Sequence, residues 1–250
     1  MTQIIGFAGR KQAGKDTACN FILAVKLAEL GVCKSSRLTA EGTVEVTDIL
    51  GEKVDGREWF PLEAPFVDVE SLFEERVSQH VKIYSFANKL KDLAVSILGI
   101  EKQLVYGTDK DKNKKTHLKW ENMPTPNELK GRMTVREVLQ YVGTDLFRKM
   151  LNNVWVENCI KQIQTDAPDL ALVSDVRFVN EVESIQQANG MVVGLTRTVG
   201  GADSHRSETE AEKCLRLCDK TIDNKDLSIS QQNEQIYYKI KHLEVIPEII

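Results

Sequence analysis

The run of residues 4–17 reads Ile4-Ile5-Gly6-Phe7-Ala8-Gly9-Arg10-Lys11-Gln12-Ala13-Gly14-Lys15-Asp16-Thr17. An apolar segment ends at Gly9, four residues follow, and Gly14-Lys15 then precedes a helical pattern of apolar residues. Strand, glycine loop and helix in this order are the context in which G-x-x-x-x-G-K indicates a phosphate-binding loop. Backbone N–H groups of such a loop, together with the positive end of the helix, can hold an anion. The sequence therefore predicts a nucleotide phosphate site along residues 9–17.

The two residues after Gly14 are charged and are candidates to bind phosphate and a metal ion. Lys15 is expected to reach the outer phosphates as a mobile point charge. Asp16 stands where this pattern usually has serine or threonine, and Thr17 follows it. A carboxylate is a hard oxygen ligand, so Asp16 is a candidate to hold Mg²⁺, directly or through water. The alternative is a tight turn in which Asp16 only caps the helix.

Composition limits the classes of protein to consider. A length of 250 residues fits one large domain or a domain with an insertion, and the net charge of −4 argues against general nucleic-acid affinity. We find no N-terminal apolar signal and no run of about 18 apolar residues, which predicts a cytoplasmic protein without a membrane partner. The five cysteines form no C-x-x-C pair, which indicates reduced thiols.

Residues 32–80 interrupt the alternation of strands and helices. The runs 36–40 and 43–48 alternate on either side of Glu41-Gly42, which predicts a β-hairpin. We interpret the whole region as an insertion at the rim of the sheet, which either shapes a substrate pocket or only elaborates the surface. A second interruption at residues 101–133 has mixed charge, and a solvated loop is the default expectation there.

A second strand-to-helix unit covers residues 81–98. The carboxyl end of such a strand faces the ligand crevice in an open α/β sheet. Ser85, Phe86 and Lys91 are therefore candidates to hold a second substrate, although a solvated helix lysine is an equal alternative for Lys91.

Thr134-Val135-Arg136-Glu137 is a capping box that opens a helix. The helix contains Gly143, which lowers helix propensity by about 1 kcal/mol and suggests close approach of a ligand or another helix. Arg136 and Arg148 lie twelve positions apart, so both can lie along one side of this helix. Their guanidinium groups are candidates to bind phosphate in a bidentate manner.

The apolar run Leu170-Ala171-Leu172-Val173 predicts a parallel strand that is covered on both faces. It ends in Ser174-Asp175-Val176-Arg177. An acid at the end of such a strand can orient Mg²⁺ or its waters, and an adjacent arginine can bind a phosphate. The alternative for Asp175 and Arg177 is a simple turn pair.

The polar segment 198–212 contains Gly200-Gly201 and Arg206, and this composition is typical of a mobile lid over phosphates. A short strand at residues 220–224 and a helix capped by Ser228 complete the chain. We predict a single domain, residues 1–250, with a three-layer α/β/α fold of the P-loop NTPase type. Its mostly parallel sheet has five strands, and a small β-hairpin is inserted.

Six separate blocks of the sequence form a pattern. The blocks are the loop G-R-K-Q-A-G-K-D-T, Tyr84-Ser85-Phe86-Ala87-Asn88-Lys89-Leu90-Lys91, the segment 134–145 with Arg148 and Trp155, Ser174-Asp175-Val176-Arg177 with Glu181, His205-Arg206-Ser207-Glu208, and Ile222-Asp223-Asn224. These blocks resemble the phage deoxynucleoside monophosphate kinases, in the same order as in that family, and they leave only residues 32–80 uncovered.

This resemblance implies transfer of a phosphoryl group from ATP to a deoxynucleoside monophosphate, with Mg²⁺. It implies catalytic roles for Lys15, Arg136, Asp175 and Arg177. The implied ATP-binding residues are Gly9, Arg10, Lys11, Gln12, Ala13, Gly14, Lys15, Asp16, Thr17, Arg197, Arg206 and Asn224, the last near the adenine. The implied residues of the acceptor site are Ser85, Phe86, Lys91, Arg136, Gln140, Arg148, Trp155, Asp175 and Arg177, and the metal ligands are Asp16 and Asp175.

Three alternatives share parts of this pattern. Animal-type phosphomevalonate kinase has the same G-K-D loop and a D-x-R strand end, and dephospho-coenzyme A kinase fits fewer blocks. A P-loop protein that holds nucleotide without turnover is the third. The accepted bases, the sugar preference and the choice between monomer and homodimer stay open at the level of sequence.

Overall fold

The computed structural model describes residues 1–49, 59–62, 69–124, 129–198 and 206–247. Its ten strands all lie in these ranges. They are β1 (Gln3–Ala8), β2 (Cys33–Leu38), β3 (Val44–Ile49), β4 (Phe60–Pro61), β5 (Val81–Tyr84), β6 (Lys115–Lys119), β7 (Arg132–Thr134), β8 (Leu170–Val176), β9 (Met191–Leu195) and β10 (Lys220–Ile222).

Helices connect these strands. The α-helices are α1 (Lys15–Glu29), α2 (Val69–Leu72), α3 (Asn88–Ser96), α4 (Lys102–Tyr106), α5 (Asp109–Lys112), α6 (Val135–Gln140), α7 (Arg148–Met150), α8 (Val154–Asp166), α9 (Val179–Gln187), α10 (Arg206–Leu217) and α11 (Ile229–Ile240). Residues Phe73–Val77 and Tyr141–Phe147 are π-helical, and Trp120–Asn122 and Lys241–Leu243 form 3₁₀ turns.

The central sheet has five strands in the order β10-β9-β1-β8-β5, and every neighbouring pair is parallel. The predicted five-stranded parallel sheet with flanking helices is confirmed. Because all five strands run in the same direction, the segments that follow them meet at one edge of the sheet, where ligands bind in open α/β folds.

The predicted hairpin is also confirmed. Strands β2 and β3 pair antiparallel with Ser36 opposite Val46, and β4 extends this small sheet. The later glycines and proline of the region, at Gly51, Gly56 and Pro65, lie outside the described residues.

Two compact units make up the chain. The first comprises Met1–Ser85 and Cys159–Ile250 and contains the central sheet, the hairpin sheet and the main apolar core. That core packs α1 and α11 against the sheet through fully buried side chains such as Phe7, Ile22 and Ile236. The second unit, Phe86–Asn158, contains the β6–β7 pair and helices α3 to α7.

Strand β8 extends to Val176, because pairing with β1 resumes after an irregularity and joins Ala8 to Val176. One sequence expectation was wrong. The charged connector at residues 101–133 is not simply a loop, since its described part forms α4, α5 and the β6–β7 pair. Thr116 is buried there and donates a hydrogen bond to the Met133 carbonyl at 3.0 Å.

The capping box at Thr134 is confirmed, since its side chain and that of Glu137 bond reciprocally to the backbone. The helix it opens passes through a π-helical turn that contains Gly143. A Cβ atom built on Gly143 would lie 2.5 Å from Leu90 Cδ2 on α3. The glycine therefore permits close packing of a second helix, as the sequence suggested.

Candidate active site

The loop between β1 and α1 depends on two glycines that no other residue could replace without strain. Gly9 has φ +154°, and a Cβ atom there would lie 2.6 Å from the Leu195 carbonyl oxygen. Gly14 has φ +94°, and a Cβ atom there would lie 2.7 Å from Oε1 of Gln232. The loop is thus seated directly on the end of β9 and on α11.

Gly14 is also the N-cap residue of α1 and supplies no capping side chain. The first N–H groups of a helix need partners from outside it, and an anion is a suitable one because of the helix dipole. An anion would therefore be a chemically suitable partner for the start of α1.

Lys15 is buried, with 5% of its surface exposed. Its ammonium donates hydrogen bonds to the carbonyl oxygens of Gly9 at 2.8 Å and of Arg10 at 2.6 Å. A buried charge is tolerated only when it is well hydrogen-bonded. The loop therefore holds the ammonium group of Lys15 beside its own backbone.

Two carboxylates lie close to this loop. Burial raises the pKa of Cys19 well above its usual value, and the charges of Asp16 and Asp175 raise it further, whereas Lys15 lowers it. Asp16 belongs to the loop itself, and Asp175 precedes Val176, whose carbonyl accepts a hydrogen bond from the Gly9 N–H at 3.3 Å. Asp16 is exposed in the first turn of α1. Asp175, near the end of β8, accepts a hydrogen bond from Ser85 Oγ at 2.6 Å.

These oxygens match the chemistry of Mg²⁺, which in kinases is typically held by one or two carboxylates, waters and substrate phosphates. Within the described ranges no three histidine, cysteine or acidic residues gather into a cluster able to hold a metal by themselves. Asp16 and Asp175, with the Ser85 hydroxyl beside the second acid, are the donors that fit this ion.

Arg177 follows β8, and a buried acid shapes the turn that carries it. Glu181 has 1% of its surface exposed. Its carboxylate accepts hydrogen bonds from the backbone N–H groups of Arg177 at 2.7 Å and Phe178 at 3.0 Å. The resemblance included Glu181 without a role, and the structure places it at the N-terminal turn of α9.

Two further residues of the loop, Arg10 and Thr17, contact segments that are distant in the sequence. Arg10 forms an ion pair of 2.5 Å with Glu212 on α10. Gln12 adopts φ +60°, and Ala13 is buried. Lys11 follows Arg10 and is partly exposed. Thr17 contacts the tip of the β2–β3 hairpin, where a Cβ atom on Gly42 would lie 2.5 Å from its hydroxyl oxygen.

The hairpin tip also contacts α1 further along. Asn20 donates a hydrogen bond to the Gly42 carbonyl at 2.9 Å. Phe21, Thr39, Ser228 and Tyr237 help to line a cavity of about 860 Å³ between the hairpin, α1 and α11. The tip of the β2–β3 hairpin thus packs against the first turns of α1.

Asn224 and Arg197 follow strands β10 and β9. Asn224 is fully buried and donates hydrogen bonds to the Ala13 carbonyl at 2.8 Å and to Gln232 Oε1 at 2.6 Å. The Arg197 backbone N–H donates to Asn224 Oδ1 at 2.8 Å. Sequence reasoning missed Gln232, because its only local context is an ordinary helix that begins after Ser228.

The remaining candidates belong to the second unit. Arg136 forms hydrogen bonds with Asp109 Oδ1 at 2.6 Å and Asn113 Oδ1 at 3.2 Å. Arg148 is buried on α7, whereas Gln140 is partly exposed at the end of α6. The ammonium of Lys91 lies 5.2 Å from the ring centroid of Tyr106.

Two aromatic candidates of the second unit are buried. Phe86 is 3% exposed. Trp155 is 7% exposed, and its indole N–H donates to the Gly143 carbonyl at 2.9 Å. Its ring lies 5.2 Å, centroid to centroid, from that of Phe147. The indole N–H of Trp155 therefore bonds to the backbone of the second unit itself.

Arg206 begins helix α10, and the preceding part of the expected lid, residues 199–205 with Gly200, Gly201 and His205, lies outside the described residues. None of the described helices is both long and apolar enough to cross a bilayer.

A parallel five-stranded sheet, with a glycine loop, a buried lysine and a helix N-terminus after its central strand, defines a P-loop protein of the kinase type. The family model described as deoxynucleotide monophosphate kinase matches residues 3–236. The chain belongs to this family.

Two curated proteins are similar to it. A putative deoxynucleotide monophosphate kinase of Acanthamoeba polyphaga mimivirus is 29% identical over 157 residues, which cover 57% of this chain and 75% of that protein. The deoxynucleoside-5'-monophosphate kinase of Escherichia phage T5 is 40% identical over 55 residues, 22% of each chain.

The contacts of Glu181 predict its contribution to stability. Replacing it with alanine leaves two backbone N–H groups without their acceptor, and this loss should lower the free energy of unfolding by about 1–3 kcal/mol. Glu181→Gln should cost less, since the amide oxygen still accepts a hydrogen bond. Urea unfolding of the variants measures both values.

Glu183→Ala is the matched control, because Glu183 is exposed on the same helix and its loss should change stability by less than about 0.5 kcal/mol. Equal effects of Glu181→Ala and Glu183→Ala would contradict the assigned role.

Proposed function

We propose that this protein transfers the γ-phosphoryl group of ATP to a deoxynucleoside monophosphate and releases ADP and the deoxynucleoside diphosphate. The observation that carries this proposal is the seated glycine loop with its buried Lys15, in a chain that the kinase family model matches almost throughout. The family match favours a nucleotide acceptor over mevalonate phosphate or dephospho-coenzyme A.

The chemistry suits a site without a strong general base. The acceptor oxygen belongs to a phosphate that is already anionic near neutral pH. Catalysis then consists mainly of aligning the two nucleotides and neutralising charge on the moving phosphoryl group. In our proposal the loop backbone and Lys15 hold the donor phosphates. Lys15 would exchange the carbonyls of Gly9 and Arg10 for phosphate oxygens, which are the stronger partners because they are charged.

We assign the metal site to Asp16 and Asp175. A bound Mg²⁺ would supply positive charge against the phosphate oxygens. The chain's own contribution is to fix the acids: Asp16 by the first turn of α1, and Asp175 by β8 and its hydrogen bond from Ser85.

The acceptor phosphate is assigned to the guanidinium groups of Arg136, Arg148 and Arg177. Asp109 and Asn113 orient Arg136, and burial restricts the conformations of Arg148. Arginine suits this task because its planar donors match the oxygens of a phosphate. The other acceptor-site candidates, by family position, are Ser85, Phe86, Lys91, Gln140 and Trp155, and Arg206 belongs with the donor.

A panel of acceptors tests the activity. With ATP and Mg²⁺, at least one deoxynucleoside monophosphate should give its diphosphate and an equal amount of ADP, measured by anion-exchange chromatography. Lys15→Ala should reduce this rate by about 10²–10³-fold, as expected for loss of one charge-stabilising donor. Lys34→Ala, at an exposed lysine of β2, should leave the rate unchanged.

The panel should include the ribonucleotides, mevalonate phosphate and dephospho-coenzyme A. Turnover of either non-nucleotide acceptor alone would overturn the proposed substrate class. Absence of ADP release with every acceptor would favour a binding protein without turnover.

The metal assignment predicts a shift in Mg²⁺ dependence. Asp16→Asn and Asp175→Asn each remove one negative charge from the assigned site. Each should raise the Mg²⁺ concentration that gives half-maximal activity by about tenfold, within the usual range for altered metal sites. Asp226→Asn changes an exposed acid and should leave it unaltered. Wild-type Mg²⁺ dependence in both site variants would exclude this pair as the metal site.

A further inference from the structure

Two buried amide side chains donate hydrogen bonds to backbone carbonyls of residues 9–17, which we call the phosphate loop. Asn224 and Gln232 are 0% and 1% exposed. Asn224 Nδ2 donates to the Ala13 carbonyl at 2.8 Å, and Gln232 Nε2 donates to the Gly14 carbonyl at 3.4 Å. The two amides are joined to each other by the 2.6 Å bond from Asn224 Nδ2 to Gln232 Oε1.

Arg197 anchors this pair to the sheet edge. Its backbone N–H donates to Asn224 Oδ1, and its side chain donates to the carbonyls of Asn224 at 3.0 Å and Leu227 at 2.5 Å. The carbonyl and both N–H directions of the Asn224 side chain are therefore committed inside the protein.

The carbonyl contacts determine where the loop N–H groups point. In a planar trans peptide the carbonyl oxygen and the following N–H point in opposite directions. Holding the Ala13 carbonyl on Asn224 therefore turns the Gly14 N–H away from Asn224. The Gly14 carbonyl accepts from Gln232 and also from the Ala18 N–H at 2.9 Å. The Lys15 N–H, which belongs to the same peptide group, therefore points away from Gln232.

We propose that Asn224 and Gln232 are positioning residues that preset the phosphate loop for the donor's phosphates, with Arg197 as their anchor. This proposal rests on the proposed kinase function. It differs from a direct contact between Asn224 and the adenine, because the amide is buried and its bonding groups are engaged by the loop, by Gln232 and by Arg197.

The two roles for Asn224 predict different ligand responses. A residue that shapes the loop affects every ligand that places phosphates there, whereas a residue that contacts the base affects only ligands that carry the base. Tripolyphosphate with Mg²⁺ presents the phosphates of ATP without a nucleoside, so it separates the two.

The experiment measures dissociation constants of ATP and tripolyphosphate, each with Mg²⁺, by calorimetry on the full chain. Gln232→Met keeps the length of the side chain but cannot donate to Gly14. It should weaken both ligands by the same factor, about five- to tenfold, as expected when a buried carbonyl loses a partner. Asn224→Asp, which cannot donate to Ala13, should behave in the same way. In steady-state kinetics both should raise KM for ATP more than KM for the acceptor.

Gln235→Met is the matched control, because Gln235 is exposed on the same helix, and both ligands should keep their wild-type affinity. Gln232→Glu is a second variant that retains the acceptor for Asn224 but not the donor to Gly14, and it should weaken both ligands as well. Thermal unfolding without ligand identifies any variant that is not folded.

Loss of ATP affinity with unchanged tripolyphosphate affinity would overturn the proposal in favour of contact with the base. Unchanged affinity for both ligands in folded Gln232 and Asn224 variants would also overturn it. Failure of the wild-type chain to bind either ligand would instead refute the proposed kinase function, so the two failures are distinguishable.

Discussion

A buried lysine ammonium is the constraint on which the rest of the site depends. Moving a charge out of water is costly unless oxygens surround it. Here the carbonyls of Gly9 and Arg10 supply those oxygens, and they can do so only because the loop curls around the end of Lys15. That curl requires left-handed or otherwise unusual backbone at Gly9, Gln12 and Gly14.

The parallel sheet explains how distant segments come to support this loop. β1 is the central strand of five, so the ends of β8 and β9 lie on either side of it. Leu195 at the end of β9 lies against Gly9, while the Val176 carbonyl at the end of β8 accepts a hydrogen bond from the Gly9 N–H at 3.3 Å. The C-terminal helix α11 then closes the arrangement through Gln232. Parts of the site that are far apart in sequence are adjacent because the strands share one direction.

Much of the fold and of the loop could be predicted from the sequence, because the signals lie within short stretches of the chain. The glycine–lysine pattern, the apolar runs of the strands and the capping boxes at Thr134 and Ser228 each signal within a few residues. Gln232 gave no such signal, since its bond to Gly14 spans 218 positions and depends on tertiary packing alone. The loop predicted for residues 101–133 was wrong. The many charged residues there gave no indication that Thr116 and Met133 are buried and join strands β6 and β7 by a hydrogen bond. The assignments of individual residues to donor, acceptor and metal stay predictions.

The most direct measurement is a crystal structure of the protein with Mg²⁺ and a non-hydrolysable ATP analogue. We expect the β- and γ-phosphates to lie within the loop of residues 9–17, with Lys15 Nζ bonded to a phosphate oxygen instead of the Gly9 and Arg10 carbonyls. Phosphates bound elsewhere, with Lys15 still on those two carbonyls, would contradict it.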